Sequence, residues 1–335
     1  MRLIRHHAYA RAGLVGNPSD GYHGKTLSVV VPAFRALVTM YEWDEIDIVL
    51  SQEDRCRFRN VDELHRDVLT HGYYGGVRLV KATVKKFVEF CRQQGLPLSD
   101  DTFALRYESN IPRQVGLAGS SAIIVATLRC LMEFYGIDIP RPAQPSLVLS
   151  VEMEELGITA GLQDRVIQVY GGAVYMDFSE ANIRTICGLK CGRYEPLDVA
   201  TLPPLYVSYK ADAGEPTEVT HNDLRGRYNA GDRAVQAAMR QFAELTDRGR
   251  AAILAGDAEE LGRVIDANFD LRRSIMKIPR AQVEMVDVAR AAGATAKFAG
   301  SGGAIIGTYG GDDAVFERLR VALGRIGCET LKLPL

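Results

Sequence analysis

Ile111-Pro112-Arg113-Gln114-Val115-Gly116-Leu117-Ala118-Gly119-Ser120-Ser121-Ala122 runs directly into the apolar stretch Ile123 to Tyr135. Small residues and hydroxyls ahead of a helix leave its first backbone N–H groups bare. They also turn the positive end of its dipole outward, where phosphate oxygens approach without side-chain obstruction. No Lys-Ser or Lys-Thr follows the glycines, so this is not a Walker A loop, and the Gly-x-Gly-x-x-Gly spacing of dinucleotide folds is missing too. The competing reading is a tight turn with a serine N-cap and no ligand.

Composition narrows the setting. The 335 residues, 47% hydrophobic, suffice for the core of one large or two medium domains. Acidic and basic residues are interspersed and leave a net charge of −2, which gives no footprint for a polyanion, so nucleic acid is not expected as a partner. Cys56, Cys91, Cys130, Cys187, Cys191 and Cys328 are scattered, and the close pair Cys187 and Cys191 lacks the further Cys or His of a zinc set. Reduced thiols and a cytoplasmic location are the expectation. Met1 to Ala10 carries two Arg and two His instead of an apolar signal core, and no run reaches the length of a bilayer, so no membrane partner is expected.

Apolar periodicity alternates short strands with longer helices along the whole chain, which predicts an α+β or α/β architecture. Thr26 to Pro32, Ile46 to Leu50 and Thr102 to Glu108 read as strands. Gly75 to Gln94 reads as a helix that stops at Gly95. Ser146 to Leu156 and Leu162 to Tyr170 read as two helices on either side of Gly157 and Gly161, and Gly171-Gly172 leads into a strand from Ala173 to Phe178. The turn-rich segment Pro196 to Pro204 is the expected boundary between domains of residues 1–200 and 201–335. Beyond it follow a strand, Leu205 to Tyr209, helical regions Asp223 to Ala255, Ala258 to Ile275 and Ala281 to Ala292, and a second glycine loop, Ala299-Gly300-Ser301-Gly302-Gly303-Ala304.

Three separated motifs thus stand in order: Arg11-Ala12-Gly13-Leu14-Val15-Gly16-Asn17-Pro18-Ser19-Asp20, the loop from Pro112 to Ala122, and Lys297-Phe298-Ala299-Gly300-Ser301-Gly302-Gly303-Ala304. Their order and spacing resemble the GHMP small-molecule kinases, named for galactokinase, homoserine kinase, mevalonate kinase and phosphomevalonate kinase. Within that superfamily, several segments are similar to plant-type glucuronokinases: Gly16 to Asp20, Gly72-Tyr73-Tyr74-Gly75-Gly76-Val77-Arg78, Ile111 to Gln114, Gly161-Leu162-Gln163-Asp164-Arg165, and Lys297 to Gly303. The resemblance implies an α+β GHMP kinase fold, with an N-terminal domain like ribosomal protein S5 domain 2 and a C-terminal ferredoxin-like domain. It implies ATP and Mg2+ as cofactors and transfer of the γ-phosphate to the anomeric hydroxyl of D-glucuronate. The alternatives are another sugar or heptose-phosphate kinase of the superfamily, or a sugar- and ATP-binding regulator without turnover; the presence of Asp164, Glu152 and Arg11 favours an enzyme. Oligomeric state is not legible.

The resemblance also implies roles. Val115, Gly116, Leu117, Ala118, Gly119, Ser120 and Ser121 would cradle the α- and β-phosphates, and Gly300, Ser301 and Gly302 would close over them. Ser120 and Glu152 would hold the magnesium through oxygen ligands. The loop has one more small residue than the common family pattern, so Ser121 competes with Ser120 for the metal-side position; ungapped counting from Pro112 prefers Ser120. Asp164 would accept the proton of the attacking hydroxyl, with Arg11 beside it keeping the carboxylate ionised. Asn17 and Asp20 would meet the sugar, although Asn17-Pro18 stands where galactokinases carry Glu-His. A uronate calls for an arginine fork, with Arg113 and Arg165 as first candidates and Arg78 and Arg272 behind them. Tyr73 and Tyr74 would stack on the ligand or pack a lid, and Lys297 opens the third motif.

Overall fold

The computed structural model describes residues 2–49, 75–210 and 218–335; Cys56, Gly72, Tyr73 and Tyr74 lie outside the described residues. The sequence reading misses the first strand, β1 (Leu3–Val15), which pairs antiparallel along β2 (Lys25–Glu42). It also stops the second strand too early, at Pro32. Register slips at Tyr9/Ala10, where Tyr9 faces Arg35 and Ala10 faces Val31, so Pro32 sits in a bulge that needs no ladder donor from it. The bulge divides the other edge of β2: Ala36 to Glu42 pair with β4 (Phe103–Ser109), and Lys25 to Val29 pair with β5 (Ala173–Asp177). A short strand, β3 (Asp47–Ile48), runs beside β4, and β8 (Arg193–Leu197) beside β5; between β5 and β8, β6 (Arg184–Ile186) and β7 (Leu189–Cys191) form a separate hairpin.

Helices cover this sheet. The amphipathic α1 (Gly76–Gln93) buries Leu79, Val80, Phe87 and Phe90. The almost wholly apolar α2 (Gly119–Tyr135) is sunk in the core and ends at Gly136 in the left-handed region. The single helix expected from Ser146 to Leu156 is instead α3 (Gln144–Ser150) followed by a wider π turn, Val151–Glu155. That turn buries Glu152 while Glu154 and Glu155 reach Lys86 and Lys85 on α1. After it comes α4 (Gln163–Tyr170), with Val166, Ile167 and Val169 inward.

In the second half, β9 (Leu205–Tyr209), β10 (Lys297–Phe298), β11 (Ala304–Thr308) and β12 (Glu329–Leu333) form an all-antiparallel sheet in the order β10-β11-β9-β12. That order, with helices between β9 and β10 and again between β11 and β12, is the split arrangement of a ferredoxin-like sheet. The helical region expected over Asp223 to Ala255 breaks at Gly231 into α5 (Glu218–Asn229) and α6 (Arg233–Ala255), because Asp232 caps the second helix through Ala234 and Val235 N–H. Next come α7 (Ala258–Ile275), α8 (Arg280–Ala291) and, before β12, α9 (Asp313–Arg325). From α6, Thr246 donates to the Lys25 carbonyl and Asp247 accepts from Tyr175, so this helix leans on the first sheet. One hydrophobic cluster runs from Ile4 and Leu27 through Val264 to Ile306, across both sheets.

Gly307 on β11 marks where backbones cross, since a Cβ there would stand 1.7 Å from the Thr295 carbonyl oxygen. Gly307→Ala should therefore destabilise the fold by about 2–4 kcal/mol. Gly324→Ala, in the last turns of α9 with open space around it, should stabilise by roughly 0.5–1 kcal/mol. Urea denaturation of the two variants checks both, and equal effects would contradict the crossing.

Candidate active site

Arg11 is the junction. It sits on β1, only 6% exposed, and its guanidinium forks onto Asp164, with Nε to Oδ1 at 2.6 Å and Nη2 to Oδ2 at 2.9 Å. Nη1 donates to the carbonyls of Gly116 at 2.6 Å and Ala299 at 3.2 Å. One side chain thus ties the Asp164 helix, the first glycine loop and the second glycine loop together. The backbone repeats the link: Arg11 N–H donates to Leu117 O, and Gly13 N–H to Ala299 O. Asp164 lies in the first turn of α4, where a carboxylate suits the helix dipole.

The first loop turns inside out relative to ordinary coil. The carbonyls of Gly116, Leu117 and Ala118 all point into the protein, to Arg11 Nη1, Arg11 N–H and Gln168 Nε2. A trans peptide sets N–H opposite C=O, so the N–H groups of Leu117, Ala118 and Gly119 face away from those donors. Left-handed residues make the reversal, Gly116 at φ 72° and Ala118 at φ 62°, the latter a strained choice for a residue with a Cβ. No side chain caps the start of α2. Ser121 is buried and its hydroxyl donates back to the Ala118 carbonyl, whereas Ser120 is half-buried. The two loops touch backbone to backbone: a Cβ on Gly300 would meet the Gly116 carbonyl at 2.3 Å, and one on Gly116 would meet Ser301 N at 3.1 Å.

Around Asp164 stand further charges. Glu152, 2% exposed, receives Nε and Nη2 of Arg165 on its Oε2, a fork that leaves Oε1 outside it. Arg165, 5% exposed, also donates from Nη1 to the Gly161 carbonyl at 2.8 Å and lies 3.4 Å from Asp164 Oδ2. Burial pushes the Glu152 carboxyl up, with Arg165 pulling against it. Burial also opposes the charge of Arg165, yet Glu152 and Asp164 carry it above its ordinary range. Asp20, on the turn Ser19–Tyr22 after β1, accepts from Gln163 N–H at 3.3 Å. Burial and the nearby Asp164 push its carboxyl up to about 6, against the pull of Gln163 N–H, Arg165 and Arg11. Asn17 accepts from Lys297 Nζ at 2.6 Å and reaches toward the Gly300 carbonyl.

Arg11, Asn17, Asp20, Glu152, Asp164, Arg165 and the two glycine loops thus form one connected set. Arg113 and Arg78 are exposed on the loop before α2 and on α1, and Arg272 is buried beneath the second glycine loop. Sequence reasoning missed the Gln163 backbone N–H as a donor to Asp20 and the Gln168 side-chain amide as a donor to the loop. Gln168 had a signal, an amide at an inward position of α4; the backbone N–H had none, because every residue but proline supplies one. Among the described residues no group of three or more His, Cys, Asp or Glu could hold a metal by itself, and no helix is long and apolar enough to cross a membrane. The five described cysteines are free thiols.

Residues 78–172 match the family model for the GHMP kinases N terminal domain. The chain is 41% identical over 309 residues to Glucuronokinase 1 of Arabidopsis thaliana, covering 90% of this chain and 84% of that one. To Probable glucuronokinase 2 of the same plant it is 42% identical over 311 residues, covering 91% and 84%. Its fold matches a Lactococcus lactis galactokinase complexed with galactose with a TM-score of 0.76 at 16% identity, over 100% of this chain and 94% of that one, a likeness of fold.

A carboxyl raised above its unfolded value favours the protonated native state. The stability it contributes is fully present below about pH 4 and is lost as pH rises through about 6. Asp20→Asn should therefore gain stability over the parent protein as pH rises across that window and keep the gain to pH 8. Thermal melts from pH 4 to 8 check this; a pH-independent difference would mean that Asp20 titrates normally.

Proposed function

Since this chain belongs to the GHMP kinase family, we propose that it is an ATP-dependent sugar 1-kinase that phosphorylates the anomeric hydroxyl of D-glucuronate, giving glucuronate 1-phosphate and ADP. The observation that carries this reading is the Asp164 carboxylate, forked by Arg11 between two glycine loops whose N–H groups are turned outward. The 41% identity to a glucuronokinase over 90% of the chain supports the choice of sugar.

Phosphoryl transfer needs positioning and charge stabilisation more than covalent chemistry from the protein. The first loop, Val115 to Ser121, and Gly300 to Gly302 offer N–H donors to the phosphate oxygens. Asp164, placed by Arg11, takes the proton of the anomeric hydroxyl as the hydroxyl oxygen bonds to the γ-phosphorus and the bond to the β-phosphate oxygen breaks. Arg11 lies beside that transfer and offsets the negative charge that collects there. Asn17 and Asp20 are assigned to the sugar, which enters on the Asp164 side because Asp20 meets the start of α4.

The residues present fit a magnesium ion. Mg2+ is commonly held by one or two carboxylates together with substrate phosphates, and a half-buried Ser120 hydroxyl and the Glu152 carboxylate supply hard oxygen donors of that kind. When bound, the ion would neutralise phosphate charge. Ungapped counting from Pro112 and the half-buried setting of Ser120, against the buried Ser121, keep Ser120 ahead for this position. Arg165 holds Glu152, Gly161 and Asp164, and Arg272 holds the second loop; Arg113, exposed on the loop before α2, is the candidate to test for the uronate carboxylate.

Asp164→Asn should keep the fold and lower kcat by roughly 10²–10⁴-fold; near-normal turnover rejects the base assignment. Glu152→Gln should raise the magnesium concentration needed for half-maximal rate by about tenfold while the glucuronate KM changes much less, and an unchanged magnesium titration counts against it. Side-by-side kcat/KM values with glucuronate, galacturonate, glucose and galactose, with the phosphate position identified in the product, test the substrate. Arg113→Gln should shrink the advantage of glucuronate over glucose. Preference for a neutral hexose would reject the uronate reading and leave the kinase reading standing.

A further inference from the structure

Four consecutive carbonyls, that of Phe298 at the end of β10 and the first three of the second glycine loop, end on three buried cations. Lys297 Nζ donates to the Phe298 carbonyl at 2.7 Å, Arg11 Nη1 to Ala299 at 3.2 Å, and Arg272 to Gly300 from Nη1 at 2.7 Å and to Ser301 from Nη2 at 3.0 Å. Lys297 is 1% exposed and Arg272 is 4% exposed. The other two bonds of Lys297 go to the Gly13 carbonyl and Asn17 Oδ1, both 2.6 Å away, and Arg272 lies over the Phe298 ring at 5.2 Å.

All of these partners are neutral. Arg11 has Asp164 as its counter-charge. Among the described residues neither Lys297 nor Arg272 takes part in an ion pair, and Arg272 Nε is buried with no hydrogen-bond partner. Desolvated charge without a counter-ion is expensive, and a fold of this size does not need two such groups to close one loop. Burial alone holds Arg272 down to about 10. Burial, then Arg272 and Arg11, pulls Lys297 far below its ordinary range. The direction of both shifts is that of cations lacking an anion.

Peptide planarity says where an anion belongs. With the carbonyls of Gly300 and Ser301 drawn to Arg272, the N–H groups of Ser301 and Gly302 point the opposite way, toward the side where Ser301 N nears Gly116. We propose that Arg272 and Lys297 are positioning residues for the polyphosphate of the nucleotide: they turn the second glycine loop so that its N–H groups face the phosphates, and their uncompensated charge is balanced when the phosphates arrive. This rests on the kinase reading. It assigns Arg272 to the donor side of the site, not to the sugar carboxylate.

The test separates phosphate recognition from general integrity by titrating inorganic tripolyphosphate and adenosine into the full-length protein and its variants by calorimetry. Arg272→Gln keeps an amide donor for one carbonyl and removes the charge; Lys297→Gln does the same at the other position. Each should weaken tripolyphosphate and ATP by roughly 10- to 100-fold, the span of a hydrogen bond to a charged group, and leave adenosine within about twofold. Arg272→Lys, which keeps charge but cannot hold two carbonyls at once, should fall between Arg272→Gln and the parent protein and guards against a variant that fails to fold. Equal weakening of adenosine and tripolyphosphate means a merely structural role and overturns the proposal, as does unchanged tripolyphosphate binding in every variant. If the parent protein binds neither ATP nor tripolyphosphate, the kinase reading falls first and this proposal with it.

Discussion

A buried guanidinium must find a partner for its charge and acceptors for its five N–H donors, and Arg11 finds both where three remote segments meet. Asp164 supplies the charge, Gly116 and Ala299 the carbonyls. None of these contacts forms until β1, the start of α4 and both glycine loops are in place. Their mutual geometry is therefore held by this one side chain together with the backbone bonds of Arg11 and Gly13 beside it. Loss of that side chain would remove the fork from Asp164 and the Nη1 donor shared by the Gly116 and Ala299 carbonyls, which ties the candidate site energetically to the packing of the two halves of the chain.

The same device recurs in both loops. Inward-facing donors take the carbonyls, and rigid peptide planes then present the N–H groups outward. In the first loop the donors are Arg11 and Gln168; in the second they are Arg11, Arg272 and Lys297. A loop held this way can offer backbone N–H groups to an anion without a lysine of its own in reach. Missing side chains at the crossing of Gly116 and Gly300 let the two backbones come close enough to act as one surface.

The acidic side of the site is organised by helix geometry. A π turn in place of the last α turn faces Glu152 inward and sends Glu154 and Glu155 to the lysines of α1. Residues 12 and 13 positions later, at the first turn of α4, then fall beside it as Asp164 and Arg165. Arg165 is what allows a carboxylate to be buried there, and Asp20 reaches the same corner through Gln163 N–H. The result is a cluster of three carboxylates and two arginines in which burial and neighbouring charges together shift Asp20, Glu152 and Arg165.

The sequence alone carried the local chemistry. Glycine runs, the Ser pair ahead of an apolar helix, and Asp164-Arg165 at a helix start are short-range patterns with direct physical meaning, and their order along the chain resembles that of one kinase family. Most helices and short strands were legible for the same reason, since periodicity and glycine stops act over a few residues: Leu205 to Tyr209 and Ala258 to Ile275 are found as read. The tertiary structure decided the rest. β1 carries mixed polar and small residues that show no clean alternation, and β2 passes Pro32 because a three-residue bulge removes the need for a donor there. Which arginine faces a ligand and which holds a carbonyl was equally invisible, because Arg11, Arg165 and Arg272 are chemically identical until long-range folding gives each its acceptors: a carboxylate and two loops, a buried glutamate, or a loop with no counter-charge.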